Sequence, residues 1–371
     1  MATIEFSEEQ GMLLETAADF CRTHSSIDAV RKQIDQDHST TPELWQAMAE
    51  LGWLGVTIPE QYGGLGMTLA DAVPIVESMG RHLMGSPYVA TTLAAQALIT
   101  SGSEAQKSNW LSAIASGAAA SVGLTEEDGN WRLHEIAATA TAKGDTLSLE
   151  GTKCFVLDAE QAQAIVVSVM VAGAARLVLI QADQIPSGAL VREVVIDETR
   201  RSFSLKLDGI SVPQSQLLDG ADFAALEQAA MLMLVAEMSG GLAGVLHVII
   251  DYLTTRKQFD QYIGSYQSLK HPTVQILLSM EACRSHLYHA ATQIAVGDLG
   301  AEEAVRMAKA HGSEAFAFAG DRAVQFHGGF GFTYECDAQL YLRRALWCQY
   351  QFGDSAYHRE LLAPLLLDQA V

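Results

Sequence analysis

LSLEGTKCFVLDAEQAQAIVVSVMVAGAARLVLIQ, residues 147–181, is the stretch on which the fold turns. Leu147 and Leu149 alternate with Thr146 and Ser148, the period of a strand with one face covered. Residues 164–172 and 176–181 are short runs rich in Val, Ile and Leu, parted by glycine and alanine. Farther on, Phe203, Leu205 and Leu207 alternate with Ser204, Lys206 and Asp208. This succession predicts a small antiparallel β barrel or sheet over residues 119–218.

On both sides the period becomes helical. In residues 1–118, with helix expected from Phe6 onward, Leu44, Met48 and Leu51 share a face behind Thr41-Pro42, an N-cap followed by a proline at the first helical position. The glycines of LGWLGVTIPEQYGGLGM, residues 51–67, stop that helix. In residues 219–371, helices are predicted over 223–255, 272–296, 301–326, 338–347 and 356–366. Long apolar helices joined by short turns predict a four-helix bundle. The fold class is therefore mainly α with a middle β domain: an N-terminal helical domain, a β domain and a C-terminal helical bundle.

Composition narrows the function. The 371 residues are 49% hydrophobic and 18% charged, enough for two or three packed units. With 23 basic against 44 acidic residues the net charge is −21, a field that repels phosphate backbones and argues against nucleic acid as a partner. Cys21, Cys154, Cys283, Cys336 and Cys348 are scattered, with no C-x-x-C spacing, so free thiols are expected and no metal site. The start, MATIEFSEEQ, has neither a basic nor an apolar leader region, which predicts a cytoplasmic protein. Residues 229–250 are very apolar, but Glu237, Gly240-Gly241 and His247 interrupt them, so a buried helix is expected there and no membrane span.

Three stretches carry candidate chemistry. HGGFGF, residues 327–332, is either a turn that ends a helix or a glycine loop whose bare backbone cradles a ligand; it is not the dinucleotide G-x-G-x-x-G after a strand. Arg256, closing a long helix, is either a favourable cation at a helix C-terminus or a bidentate clamp for a pyrophosphate. Thr125 in VGLTEEDGNW and Phe155 in GTKCFVLDA supply a hydroxyl and an aromatic ring that suit a flat heterocycle, and ordinary strand ends equally.

In this order the pieces resemble the acyl-CoA dehydrogenase family along essentially the whole chain. WQAMAELGWLGVTIPEQYGGLGM (45–67) looks like its N-terminal signature, and LTEEDG (124–129) like the start of its T-E-P-x-A-G-S-D loop. LEGTKCFVLDA (149–159) is similar to its G-x-K-x-W-I-T-N segment, RKQFDQYIGSYQSLKH (256–271) to its R-x-Q-F-G segment, and QFHGGFGF (325–332) to its Q-x-x-G-G-x-G-F motif. The resemblance implies FAD as cofactor. Arg256, Phe259 and Gln267 would meet its pyrophosphate and adenine side. Gln325, Gly328 and Gly329 would meet the adenosine half across a subunit interface, and Thr125, Phe155 and Leu157 would lie near the isoalloxazine.

The implied reaction is α,β-dehydrogenation of an acyl-CoA, in which a carboxylate takes the α proton and flavin takes a hydride from Cβ. Here the sequence departs from the family. Its glutamate sits in a Y-E-G-T segment, and YQFGDSAYHRELL (350–362) puts Phe352 in that place and Asp354 where the threonine belongs. The other family location for the base falls on Ala230. Asp354 is then a candidate base or an N-cap of the last helix, and Glu237 a candidate base or the partner of an arginine on a neighbouring helix.

The F-G-D-x-x-x-H ending and the A-E-x-x-G-G stretch at Ala236 look most like the small subunits of heteromeric acyl-CoA dehydrogenases, such as that of pimeloyl-CoA dehydrogenase. That likeness implies a dimer or heterotetramer with a second acyl-CoA dehydrogenase subunit, and an electron-transfer flavoprotein as acceptor. A catalytically silent subunit that completes a partner's flavin site is the alternative, as is another reaction on a CoA thioester, by a desulfinase or an oxidase.

Overall fold

The structure, a computed structural model, describes residues 8–367. Residues 1–7, including Phe6 and most of the segment searched for a leader, lie outside the described residues. Two compact units emerge. One comprises the chain up to Lys32, Leu69–Met84 and the chain from Ala230 onward; the other comprises Gln33–Thr68 and Gly85–Ala229.

The second unit contains the β structure. Strands β1 (Ala120–Gly123), β2 (Thr139–Lys143), β3 (Thr146–Glu150), β5 (Ala164–Val171), β6 (Ala174–Gln181) and β9 (Ser211–Pro213) form one sheet. A three-stranded sheet has the order β4 (Thr152–Leu157), β8 (Ser202–Lys206), β7 (Leu190–Arg192). Val156, Phe203 and Leu205 of the small sheet share one buried cluster with Leu147, Leu149, Ile165, Val167 and Ile180 of the large one. Most pairings are antiparallel as expected, but β5 lies parallel to both β1 and β2. The reason is in its composition. AIVVSVMV has no polar alternation, its first six residues are buried, and a strand covered on both faces can take parallel neighbours.

Helices α3 (Pro42–Glu50), α5 (Tyr88–Ser101) and α6 (Glu104–Ala115) complete this unit. Thr41 caps α3 by accepting from the Leu44 amide, with Pro42 at the first position as expected. Helix α5 is held to β1 by Thr91, whose Oγ1 donates to Ala120 O at 3.0 Å and accepts from Ala120 N at 3.1 Å.

The first unit is helical: α1 (Glu8–His24), α2 (Ile27–Ile34, to Lys32), α4 (Leu69–Arg81), α7 (Phe223–Thr255, from Ala230), α8 (Gln267–Ala295), α9 (Ala301–Phe326), α10 (Ala338–Tyr350) and α11 (Ser355–Leu367). Helix α8 begins five residues before the expected Pro272, which it carries inside, giving up one backbone hydrogen bond. Helix α7 is apolar enough over an 18-residue window to span a membrane by composition, with mean hydropathy 1.8, yet 78% of that window is buried within the protein.

Helices α4 and α7 cross in backbone contact. A Cβ on Gly240 would lie 1.8 Å from Glu77 O, and one on Gly80 would lie 2.2 Å from Glu237 O. Beside this crossing the buried Glu237 carboxylate pairs with Arg344 of α10, whose other nitrogen donates to Leu83 O. Tyr341 of α10 donates to Arg81 O at 2.9 Å.

The crossing predicts that Gly240→Ala destabilises the protein by about 3 kcal/mol in urea unfolding, since the helices must part or strain. Gly11→Ala, whose new methyl meets nothing within 4 Å, leaves stability within about 1 kcal/mol of the parent.

Candidate active site

Helix α7 ends at Thr255, and the Arg256 amide still donates to Tyr252 O. Lys257–Gln258 then pairs antiparallel with Gln261–Tyr262, so Phe259 and Asp260 form a two-residue hairpin loop. Both have positive φ, 54° and 62°, the signature of a type I′ turn. Asp260 stands where the resemblance calls for glycine, and aspartate tolerates that backbone; a phenylalanine rarely adopts it. The strained Phe259 is 85% exposed. Gln267 opens α8 just beyond. Arg256, exposed at the mouth of this hairpin, has no carboxylate within ion-pair distance among the described residues.

The glycine-rich turn stands at the same end of this unit. His327 follows α9, its ring stacked on Tyr252 of α7 with centroids 4.0 Å apart. Gln325 is exposed on the last turn of α9, and Gly328 and Gly329 are exposed with no atom within 4 Å of an added Cβ. The structure thus brings Arg256, Phe259 and Gln267 to the same end as Gln325, Gly328 and Gly329. An unpaired guanidinium beside bare, open backbone fits a dinucleotide's pyrophosphate and adenosine.

Thr125, Phe155 and Leu157 belong to the other unit and are neighbours within it. The Cys154 amide donates to Thr125 O at 2.9 Å, and Ser121 Oγ donates to Leu157 O at 2.6 Å. Phe155 sits at an irregularity in β4 with φ 56°, its amide 3.2 Å from a Glu193 oxygen that it donates to. Ser202 and Ser204 donate to the same carboxylate at 2.7 and 2.6 Å.

Beneath the Thr125 loop is a buried ion pair that the sequence reading passed over. Lys153 Nζ donates to Glu126 Oε1 at 2.6 Å and to Ser168 Oγ at 2.9 Å, and the Glu126 carboxylate also accepts from the Ala137 and Ala138 amides. Burial pushes the lysine down. Burial works to raise Glu126, but Lys153 and the two amides outweigh it and hold the carboxyl below its usual range. The signal was a lysine at an inward strand position, which needs an acid nearby.

Asp158, directly after β4, is also buried, with positive φ and Oδ1 without a hydrogen-bond partner. Burial pushes its carboxyl up to about 6, against the Ser39 hydroxyl and Arg200 and Arg201.

The segment that should carry the base is the turn between α10 and α11. Phe352 and Gly353 both have positive φ, 55° and 102°. Asp354 caps α11: its Oδ1 accepts from the Tyr357 amide at 2.9 Å. The turn is fastened from below by Lys309 of α9, fully buried, whose ammonium donates to Gly353 O at 2.7 Å, Gln349 O at 3.1 Å and Ser313 Oγ at 3.1 Å. Burial pushes this lysine down to about 7. Buried His358 is pushed to about 3 by burial and by the cations Lys309 and Arg306, so it is a neutral packing element. Glu237 is engaged by Arg344. Lys309 left no sequence signal, because a single lysine in an amphipathic helix reads as surface.

Comparison with known proteins finds similarity along most of the chain. The family model of the acyl-CoA dehydrogenase N-terminal domain covers residues 7–118, and that of the acyl-CoA dehydrogenase C-terminal domain covers residues 226–367. The chain is 31% identical over 352 residues to the acyl-CoA dehydrogenase FadE12 of Mycobacterium tuberculosis, spanning 89% of this chain and 88% of that one. It is 29% identical over 340 residues to the acyl-CoA dehydrogenase IpdE2 of Mycolicibacterium smegmatis, spanning 91% and 93%. Among solved structures, the Tcur3481-Tcur3483 steroid ACAD superposes with a TM-score of 0.89 at 25% identity, over 98% of this chain and 99% of that one.

Two buried groups yield opposite pH signatures. Between about pH 7 and the ordinary lysine value of 10.5, the unfolded chain holds a proton at Lys309 that the folded chain has released, so stability climbs with pH. Lys309→Met abolishes that climb in urea midpoints followed from neutral to alkaline pH. Asp158 is raised from 3.8 to about 6, so its contribution is full at acid pH and is lost as pH rises through about 6. Asp158→Asn therefore stabilises the protein at neutral pH, and the gain disappears below the ordinary carboxylate range.

Proposed function

The chain belongs to the acyl-CoA dehydrogenase family of FAD-dependent oxidoreductases, and from that premise we propose that it works as one subunit of a heteromeric acyl-CoA dehydrogenase. Its partner is a second acyl-CoA dehydrogenase chain, its substrate a cytoplasmic acyl-CoA with a bulky or carboxylated chain, and its electron acceptor an electron-transfer flavoprotein. The steroid ACAD among the similar solved structures supports the bulky substrate.

The observation that carries the subunit role is the turn after α10. Phe352 occupies the position of the base and cannot take a proton. Asp354 is spent on capping α11, and Glu237 is neutralised by Arg344. Both carboxylates therefore do structural work, and the α proton requires a base that the partner contributes.

FAD, when bound, accepts the hydrogen removed from Cβ. Arg256 would hold its pyrophosphate bidentately, with Phe259 and Gln267 beside it. Gln325 would bond the adenosine half, which Gly328 and Gly329 let approach closely. Thr125, Phe155 and Leu157 would contact the ring system, and the Lys153–Glu126 pair keeps the Thr125 loop in place for that contact. The Lys309 bonds to Gly353 and Gln349 hold the Phe352 turn in its left-handed form, so that it closes the site without supplying a proton acceptor.

Purified alone, the chain should carry well under one FAD per protomer by visible absorbance and show no acyl-CoA turnover; co-expression with the partner should give a yellow, active assembly. In that assembly Asp354→Asn leaves turnover unchanged. Stoichiometric FAD together with turnover by the isolated chain overturns the subunit reading. A partner that is fully active without this chain favours the silent structural role instead.

A further inference from the structure

A cavity of about 400 Å³ lies within the helical unit among α1, α4, α7 and α8, well apart in sequence from the candidate cofactor residues. Its volume falls in the range of ordinary small-molecule sites, about 300–1,000 Å³. It exists because α4 and α7 touch at Gly80 and Gly240, while the side chains flanking that contact, Ala18, Ser78, Ser239 and Ala243, are too small to fill the space where α1 and α8 lean in.

Its chemistry is lopsided. Leu14, Ala18, Ala243 and Met280 supply an apolar wall. Three guanidiniums, Arg22, Arg81 and Arg284, line it against a single carboxylate, Glu77. That carboxylate is already satisfied: Ser239 Oγ donates to it at 2.7 Å, Tyr288 OH at 2.6 Å, and Arg284 lies 3.6 Å away. Arg22 pairs at the surface with Asp19. Arg81 has no carboxylate within ion-pair distance among the described residues. A positive pocket on a chain of net charge −21 runs against the average field of the molecule. The lining imidazole of His82 reports the same field from inside: burial pushes it down, and Arg81 and Arg22 push it further.

We propose that this cavity binds a small monocarboxylate with a short alkyl body, its carboxylate on Arg81 and its chain against Leu14, Ala18, Ala243 and Met280. A guanidinium matches a carboxylate bidentately, and the apolar wall selects against a bare inorganic anion. The site is independent of the proposed dehydrogenase reaction, since none of its lining residues is among those assigned to FAD or to the base.

The probe is hexanoate, titrated calorimetrically into the full chain as purified, with hexanol, hexylamine and sulfate as comparisons. The expected result is saturable hexanoate binding, with hexanol, hexylamine and sulfate each at least about tenfold weaker. Arg81→Ala should weaken hexanoate by about tenfold or more while leaving the unliganded urea midpoint unchanged, because the Arg81 side chain is exposed and its structural bond uses the backbone carbonyl. Absence of saturable hexanoate binding overturns the proposal, as does equal binding of hexanol or sulfate. Undiminished hexanoate affinity in Arg81→Ala and in Arg22→Ala/Arg81→Ala places the carboxylate elsewhere and overturns it too. Flavin content and turnover enter none of these readouts, so loss of the subunit reading would leave them intact.

Discussion

Helix α7 is apolar around its whole circumference, and a helix of that kind has to be covered on every side. From Ala230 onward this requirement organises the helical unit. Helix α4 covers one side so closely that only glycine fits at Gly80 and Gly240, and Gly241 faces Phe316 of α9. Over residues 230–246 every position of α7 except Ala243 is buried, so a polar group there is drawn inside with it. Glu237 is the consequence: it cannot reach water, so Arg344 of α10 must meet it. That pair is better understood as a condition of the packing than as its source of stability, since a buried ion pair gains little over apolar residues of the same size but is costly to break on one side.

The same logic governs Lys309 and Lys153, and it connects packing to function. Each is a lysine with no access to water and more than one hydrogen-bond acceptor. Lys309 takes two carbonyls and a hydroxyl; Lys153 takes a carboxylate and a hydroxyl. In each case one acceptor lies outside regular structure, Gly353 O beside Phe352 in one unit and the Glu126 carboxylate next to Thr125 in the other. Buried cations of this kind fix loop conformation with directional bonds where apolar contacts alone would leave it free to slide.

The legibility of this fold in its sequence follows from how local each signal is. Helices α7 and α9 begin and end where their periodicity does. Helix α8 does not, because Pro272 reads as a start while the tertiary packing carries the helix back to Gln267. The strands were legible from alternation, but the parallel pairing of β5 was not, since a run of apolar residues says that both faces are covered without saying by what. Among site residues, Arg256 and the glycines stood out because an unusual residue type marks them. Lys309 and Asp158 did not, because their roles come from burial, which depends on residues forty or more positions away in the chain.

Replacing an acid by Phe352 changes more than one side chain. With a phenylalanine there, the acceptors of Lys309 are two backbone carbonyls and Ser313, and the nearest acid in sequence, Asp354, turns to the α11 amides. Gly353 meanwhile packs so tightly against Tyr357 and His358 that a Cβ would come within 2.4 Å of the Tyr357 ring. The Gly353 carbonyl and the Asp354 carboxylate are thus both engaged within the protein. A chain built this way is consistent with a division of labour in which the acid–base group sits on another subunit and this one contributes shape, cofactor contacts and rigidity.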